Sequence, residues 1–302
     1  MKLSLLLLSV ALTAACSPPS SGDTSTYDQA TAQAKPGKKG GKGKKKKTKE
    51  QPDLPVGLRQ VGELDGAIHE SSGLCPAPQA GSYFTFGDDG NPPTVFRIDA
   101  TGRLLARFEL AAPNHDWESL SRDNGGNYYM GDCGNNNSDR RDLAILRFRP
   151  DSPGAVGKIS FTYPDQTEFP PSKKERNFDC EASLWHAGRV YLFTKDRGTE
   201  STCKVYSVPE TPGTYTAQLV TKLAIPGEVT DAALAPDGRR LVLLARQELF
   251  VLEGASWDAI LKATPRRIGL EGAGQTEGAA FQDANTLLIS TEQGAVYELS
   301  LN

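Results

Sequence analysis

The sequence predicts an all-β domain: a single β-propeller of five blades, each a four-stranded antiparallel sheet, closed into a ring by a strand from the domain's N-terminal end. Three observations predict it. First, an acid followed by small residues recurs every 50 residues or so, the kind of period that repeat architectures leave in a sequence. The five instances are Glu70-Ser71-Ser72-Gly73-Leu74, Glu118-Ser119-Leu120, Glu181-Ala182-Ser183-Leu184, Asp231-Ala232-Ala233-Leu234 and Glu277-Gly278-Ala279-Ala280-Phe281, with the acids 48, 63, 50 and 46 residues apart. Second, an apolar–small–polar step follows each acid, ending at Asp88, Asp132, Lys195, Arg246 and Thr291; in four of the five the offset from acid to polar residue is 14 or 15. Third, short β-rich segments with turn residues between them fill the rest of each unit.

The elements follow in order. Leu58 to Leu64 is a spare strand ahead of the first repeat. Each unit then supplies a third strand: 95–98, 144–148, 205–208, 249–252 and 296–299. The first four also supply a fourth: 104–110, 158–163, 218–225 and 265–270. The fifth unit ends at Asn302 without one, so pairing of the spare strand into it closes the ring and leaves no open sheet edge. Asp99-Ala100-Thr101-Gly102 and Pro236-Asp237-Gly238 are turn sequences. Innermost strands crowd around an axis, which accounts for the small residues after each acid. Six blades are the alternative count, with the extra one in the long second unit, although 63 residues is short for two.

The first 54 residues read differently. Met1-Lys2 is a short positive start, and Leu3 to Leu12 is an apolar run too short to span a bilayer. Leu12-Thr13-Ala14-Ala15-Cys16 follows, so residues 1–15 have the layout of a cleaved export signal. The small residues before Cys16 resemble a bacterial lipobox, with Thr13 in place of the usual Leu or Val. That resemblance implies a diacylglycerol on the Cys16 thiol, stable anchoring and, from Ser17 after the cysteine, sorting to the outer membrane, facing the periplasm or the cell surface. Residues 16–54 then form a tether. Lys35 to Lys49 holds nine lysines interrupted by four glycines, a segment that cannot bury enough apolar surface to order itself. It acts as an extended spacer, and its charge also suits an anionic envelope polymer or lipid headgroup.

Residues 55–302 are the propeller domain. The chain's net charge of −3 conceals a split: residues 1–54 carry +6 and the remainder −9. An acidic domain excludes nucleic acid as a partner.

Several segments together look like a known group: Asp116-Trp117-Glu118-Ser119-Leu120, Gly131-Asp132-Cys133-Gly134-Asn135-Asn136-Asn137 with Arg140 or Arg141, Asp179-Cys180-Glu181-Ala182, and Tyr191-Leu192-Phe193-Thr194-Lys195. They resemble bacterial secreted propellers related in layout to the phytase-like, gluconolactonase-like and quorum-regulator-controlled families, over nearly all of 55–302. The resemblance implies a calcium (Ca2+) or other divalent ion held by acids at one mouth of the central channel. The chain lacks the dense Asp clusters of true phytases, which counts against phosphate-ester hydrolysis.

In a blade, the start of the first strand and the end of the second lie at one face. Glu70, Glu118, Glu181, Asp231 and Glu277 are therefore expected to ring one mouth, as candidate metal ligands. Asp88, Asp132, Lys195 and Arg246 are expected beside them as ligand contacts, together with Asn136 and Arg140 of the polar loop 132–142. Five carboxylates at one mouth repel one another. A bound cation, raised pKa values or pairing to Lys195 and Arg246 must offset this, and oxygen ligands suit Ca2+ better than zinc. The same acids would equally serve the ring's architecture by accepting backbone N–H groups from neighbouring inner strands. His69 and His115 fall close to ring acids, and Asp116 or Glu118 with His115 offers general acid–base chemistry. No nucleophile elbow and no Cys/His metal spacing is present. Cys75, Cys133, Cys180 and Cys203 permit two disulfides in an exported domain; Cys133–Cys180 is the expected bond, at the rims of adjacent blades. Three functions fit: an envelope-anchored protein binding a ligand or partner at its acidic mouth, a calcium-dependent hydrolase of a phosphoester or lactone, and a purely structural envelope lipoprotein.

Overall fold

The structure is a computed structural model describing residues 54–301. Cys16, the export signal and the tether lie outside the described residues, apart from Leu54. The domain is a five-bladed β-propeller. Blade 1 comprises Cys75–Pro76, Ser82–Phe86, Thr94–Asp99 and Leu104–Glu109. Blade 2 comprises Trp117–Arg122, Tyr128–Asp132, Ala144–Phe148 and Gly157–Thr162. Blade 3 is built from Asp179–His186, Arg189–Lys195, Cys203–Pro209 and Gln218–Leu223, and blade 4 from Val229–Leu234, Arg240–Ala245, Glu248–Glu253 and Arg266–Gly269. Blade 5 takes Thr276–Phe281, Thr286–Thr291 and Ala295–Ser300, and its fourth strand is the chain's own beginning, Leu58–Glu63, paired antiparallel to Ala295–Ser300 from Leu58↔Leu299 to Glu63↔Ala295. The ring therefore closes by the expected strand exchange.

Local chemistry sets the hairpins. Asp99 accepts hydrogen bonds from the backbone N–H groups of Thr101 and Arg103 at 2.9 and 3.2 Å, and Gly102 takes φ +86°, a left-handed conformation that favours glycine. Asp237 and Gly238 repeat the device in blade 4, with Asp237 accepting from Arg239 N at 3.0 Å.

Five apolar clusters hold the ring together, each shared by two neighbouring blades. Val242, Leu244 and Leu249 of blade 4 meet Leu287 and Ile289 of blade 5, for example, and Phe86 of blade 1 meets Trp117 and Met130 of blade 2. Each blade buries both faces, so its middle strands read as continuous apolar runs. The small residues of the inner strands are needed for close approach. A Cβ on Gly278 would lie 2.8 Å from the backbone carbon of Gly73 and 2.9 Å from Leu74 Cγ.

Two expectations are corrected. Blade 2 has five strands, because Gly213–Thr216, from the connection inside blade 3, pairs parallel to Gly157–Thr162. The edge that a four-stranded blade would leave open is thereby covered. The long second unit holds no sixth blade; its extra residues form a loop with one 3-10 turn, Lys173–Glu175. The Cys133–Cys180 disulfide is also not formed. All four cysteines are buried free thiols, and Cys133 Sγ donates to the Cys180 carbonyl at 3.3 Å. The two residues do sit side by side in adjacent blades, as expected, but the Cys133 thiol is used by a backbone acceptor.

Candidate functional site: the acidic mouth

Bulges aim the acids. In blades 2, 3 and 5 the first two strands slip register by one residue, and the extra residue is Glu118, Glu181 or Glu277. A bulge frees a side chain from the in–out alternation of its strand and re-aims it. Blade 4 has the same slip, but its extra residue is Thr230, and Asp231 falls one place later. Blade 1 has only an isolated bridge, Ser71↔Gly87, and Glu70 beside it stands at φ +49°. The five acids are thus equivalent in sequence spacing but not in backbone placement.

Their surroundings differ accordingly. Asp231 is fully buried and accepts three backbone N–H groups: Ala232 and Ala279 at 2.8 Å each, and Leu74 at 3.3 Å. It ties the inner strands of blades 4, 5 and 1 together, so its role is architectural. Glu70 is exposed and accepts from Asn91 Nδ2 at 3.0 Å. Glu181 is buried between two cations, Lys195 Nζ at 3.0 Å and Arg197 Nη2 at 2.9 Å. Glu118 is buried and accepts from the Ser72 hydroxyl at 2.8 Å, with the Asp116 carboxyl close enough to repel it. Glu277 is half-buried and makes no hydrogen bond among the described residues, although it feels the charges of Lys195, Glu181 and Glu292.

The expected ligand contacts divide as well. Lys195 is committed to Glu181. Arg246 is exposed at the rim, 3.9 Å from Glu228. Asp88 is held by Asn91 Nδ2 at 3.1 Å. Asp132 is buried under three donors: His115 Nδ1 at 2.7 Å, Arg140 Nη2 at 3.2 Å and Asp116 N at 3.2 Å. Arg140 also donates to Gly134 O and Asp142, so it fixes the polar loop. Asn136 lies on that loop and accepts from Arg197.

Arg197 and Asp179 are the site residues that spacing did not reveal. Arg197 Nε donates to the fully buried Asp179 at 2.6 Å, and its Nη2 reaches Glu181 and Asn136. A signal did exist: Asp116-Trp117-Glu118 and Asp179-Cys180-Glu181 repeat an acid two places ahead of the ring acid. Arg197 has no counterpart in the other blades.

Protonation follows from burial. Burial, with Glu181 and Asp116 adding repulsion, holds Glu118 well above the ordinary carboxylate range, and it pushes Asp116 up to about 6. Burial likewise raises Glu277 to about 8 and Asp88 to about 6, the latter with Glu70 beside it. It raises Asp231 to about 8 against the pull of its three N–H donors. Glu181 goes the other way: burial would raise it, but Lys195, the Asp179 carboxyl and Arg197 together hold it below its usual range. Asp179, buried beside that charge, is held well above.

A pH dependence follows. A raised carboxyl binds its proton in the folded state at pH values where the unfolded chain has lost it. Stability is therefore greatest below the raised pKa values and falls as pH climbs from about 5 to about 8. Groups held low, such as Glu181 and Asp196, act oppositely and lose their contribution only under strong acid. Urea midpoints measured across this range should peak near pH ~5 and decline toward ~8. A midpoint rising steadily through that range would contradict the assignment.

As placed, the ring acids are engaged in different ways. Asp231 spends its oxygens on backbone N–H groups, Glu181 on two cations, and Glu118 accepts from the Ser72 hydroxyl. Among the described residues no group of three or more acids, histidines or cysteines is arranged to hold a metal ion.

No protein-family model and no curated relative matches the chain. Among solved structures it is similar to the glutaminyl cyclase of Myxococcus xanthus, with a TM-score of 0.51 at 11% identity, covering 80% of this chain and 95% of that one. It is also similar to the PQQ-bound aldose sugar dehydrogenase of Streptomyces coelicolor, with a TM-score of 0.48 at 14% identity, covering 82% and 99%. At 11% identity the first of these likenesses shows the propeller fold and nothing of activity. Nothing in it points to phytases.

Proposed function

We propose that this chain is an envelope-anchored binding protein: a lipid on Cys16, a basic tether, and a propeller whose mouth takes a ligand or partner presenting ammonium or other hydrogen-bond-donating groups. The observation that carries the reading is the contrast among the ring acids. Asp231 is accounted for by the fold, and Glu181 by its two cations. Glu118 and Glu277 stand out of the ladder at bulges, kept buried or half-buried at a cost in desolvation, and Glu277 has no hydrogen-bond partner among the described residues. A carboxyl such as Glu277, which costs stability without tying strands together, is what a site for a donor-rich ligand requires.

The test is thermal melting of the full chain at pH ~8 against spermidine, a Lys-containing peptide, a neutral sugar and Ca2+. Spermidine or the peptide should raise the melting temperature saturably. Glu118→Gln and Glu277→Gln should abolish that shift while raising the unliganded melting temperature by about 2–4 °C, the equivalent of ~1 kcal/mol in a domain of this size. A shift with Ca2+ alone, lost in Glu277→Gln, would replace this reading with an ion site. Stabilised variants with no binding to lose would leave the structural-lipoprotein reading. Hydrolysis of a phosphoester or lactone that disappears in Glu118→Gln would favour the hydrolase.

A further inference from the structure

A cavity of about 530 Å³ opens at the ring's seam, between blade 1 and the segment that joins the closing strand of blade 5 to it. Its size falls within the range that holds small organic ligands. One wall is the outer half of blade 1. Phe96 and Arg107 are cross-strand partners there, as are Thr94 and Glu109, so all four side chains leave the same face of the sheet. The other wall is the segment around Ala67 and His69, and Gly87 and Asn91 close the end nearest the mouth.

The second wall is built rather than loose. Asp65 accepts from Ala67 N at 3.0 Å through its carboxylate and from Ile68 N at 2.9 Å through its carbonyl, and Ile68 is buried in the core between the two blades. Asn91 ties Glu70 to Asp88 across the end of the cavity. Glu70 keeps a left-handed backbone at φ +49°, a conformation that costs a non-glycine residue energy and collects at ligand clamps. A Cβ on Gly87 would lie 2.6 Å from Asn91 Cγ and 2.9 Å from the His69 carbonyl oxygen, so only glycine lets these walls meet.

The cavity presents opposite charges that are not spent on each other. Arg107 and Glu109 stand two positions apart on one face of one strand, yet among the described residues neither has a charged partner within ion-pair distance. The neighbouring Arg103, by contrast, pairs with Asp99 at 2.9 Å. Opposite Arg107 on the neighbouring strand lies the half-buried ring of Phe96. We propose that this seam cavity is a second binding site, for a small zwitterion with an apolar side chain, of the class of a free amino acid or dipeptide. Arg107 takes the carboxylate, for which its planar fork is suited. Glu109 takes the ammonium, Phe96 the apolar group, and His69 supplies a further hydrogen-bonding edge. Because the wall segment continues the closing strand Leu58–Glu63, a ligand bound there also fastens the ring's seam.

The test is titration calorimetry and thermal melting of the full chain with L-phenylalanine, its amide and its N-acetyl derivative, which remove the carboxylate charge and the ammonium in turn. The zwitterion should bind saturably at millimolar concentration and raise the melting temperature, with each derivative about tenfold or more weaker. Arg107→Gln should erase the preference over the amide, and Glu109→Gln the preference over the N-acetyl derivative. Both are exposed positions, so the unliganded melting temperature should not move. Absence of saturable binding by the unaltered chain overturns the proposal. So does equal affinity for all three compounds, or affinity unchanged in both variants. Binding lost in Glu277→Gln but kept in Arg107→Gln would place the ligand at the mouth instead, and so overturn the seam site while supporting the mouth.

Discussion

Asp231→Ala should cost roughly 4–6 kcal/mol, a large part of what a domain of this size has to lose. The carboxylate accepts the backbone N–H groups of Leu74, Ala232 and Ala279 in a place with no exposure to solvent. Truncation leaves three donors buried without an acceptor, each at about 1–3 kcal/mol. It also unfastens three of the five inner strands at once, because Leu74 belongs to blade 1 and Ala279 to blade 5. Asp231→Asn separates the hydrogen bonds from the charge. Asparagine keeps a carbonyl acceptor and never ionises. Since burial lifts the Asp231 pKa to about 8, the neutral side chain already resembles the form the fold prefers. The Asn variant should therefore lose much less than the Ala variant, and its stability should decline less between pH ~5 and ~8 than that of the unaltered chain. Urea unfolding of both variants at those two pH values checks this. Equal losses for Asn and Ala would mean that the three N–H groups find other acceptors.

The ring itself was legible because its period is a packing constraint. Small residues recur where inner strands converge, and Gly278 against Gly73 shows how little room there is. The closing strand was legible for a related reason: a blade short of one strand at the C-terminus needs one from elsewhere. What spacing could not convey was a one-residue difference in the bulges. Asp231 keeps the repeat's spacing, but its bulge consumes Thr230 instead, so its side chain turns to the inner strands and not to the mouth. An acid's position in a repeat reports the strand it starts, whereas its function depends on which residue the ladder leaves unpaired. The fifth strand of blade 2 was hidden for another reason: Gly213–Thr216 is short, and its partner lies in a different repeat. Arg197 was invisible because it breaks the repeat. It answers the doubled carboxyls of blade 3, Asp179 with Glu181.

That doubling makes Arg197→Met the second large effect. Arg197 lies 2.6 Å from Asp179 and 2.9 Å from Glu181, whose side chains are 0% and 5% exposed, and its third nitrogen is 3.7 Å from Glu228 at the entry to blade 4. Removing one partner of a buried ion pair typically costs about 3–5 kcal/mol, because the remaining charge is stranded. Here two carboxylates are stranded together, with only Lys195 left to Glu181. Without Arg197 they hold their protons to higher pH, so the loss should be smaller at pH ~5 than at pH ~8, where the unfolded chain has released protons that the folded one must keep. Arg197→Lys should recover only part of the loss: an ammonium is a single point charge and cannot span Asp179, Glu181 and Asn136 as the guanidinium does. Asp179→Asn placed on Arg197→Met should restore stability at pH ~8 by removing a carboxyl that has to keep its proton there, a coupling that a double-mutant cycle reads directly. If Arg197→Met were neutral at both pH values, the paired carboxyls would have to be held by their shared proton and by Lys195 alone.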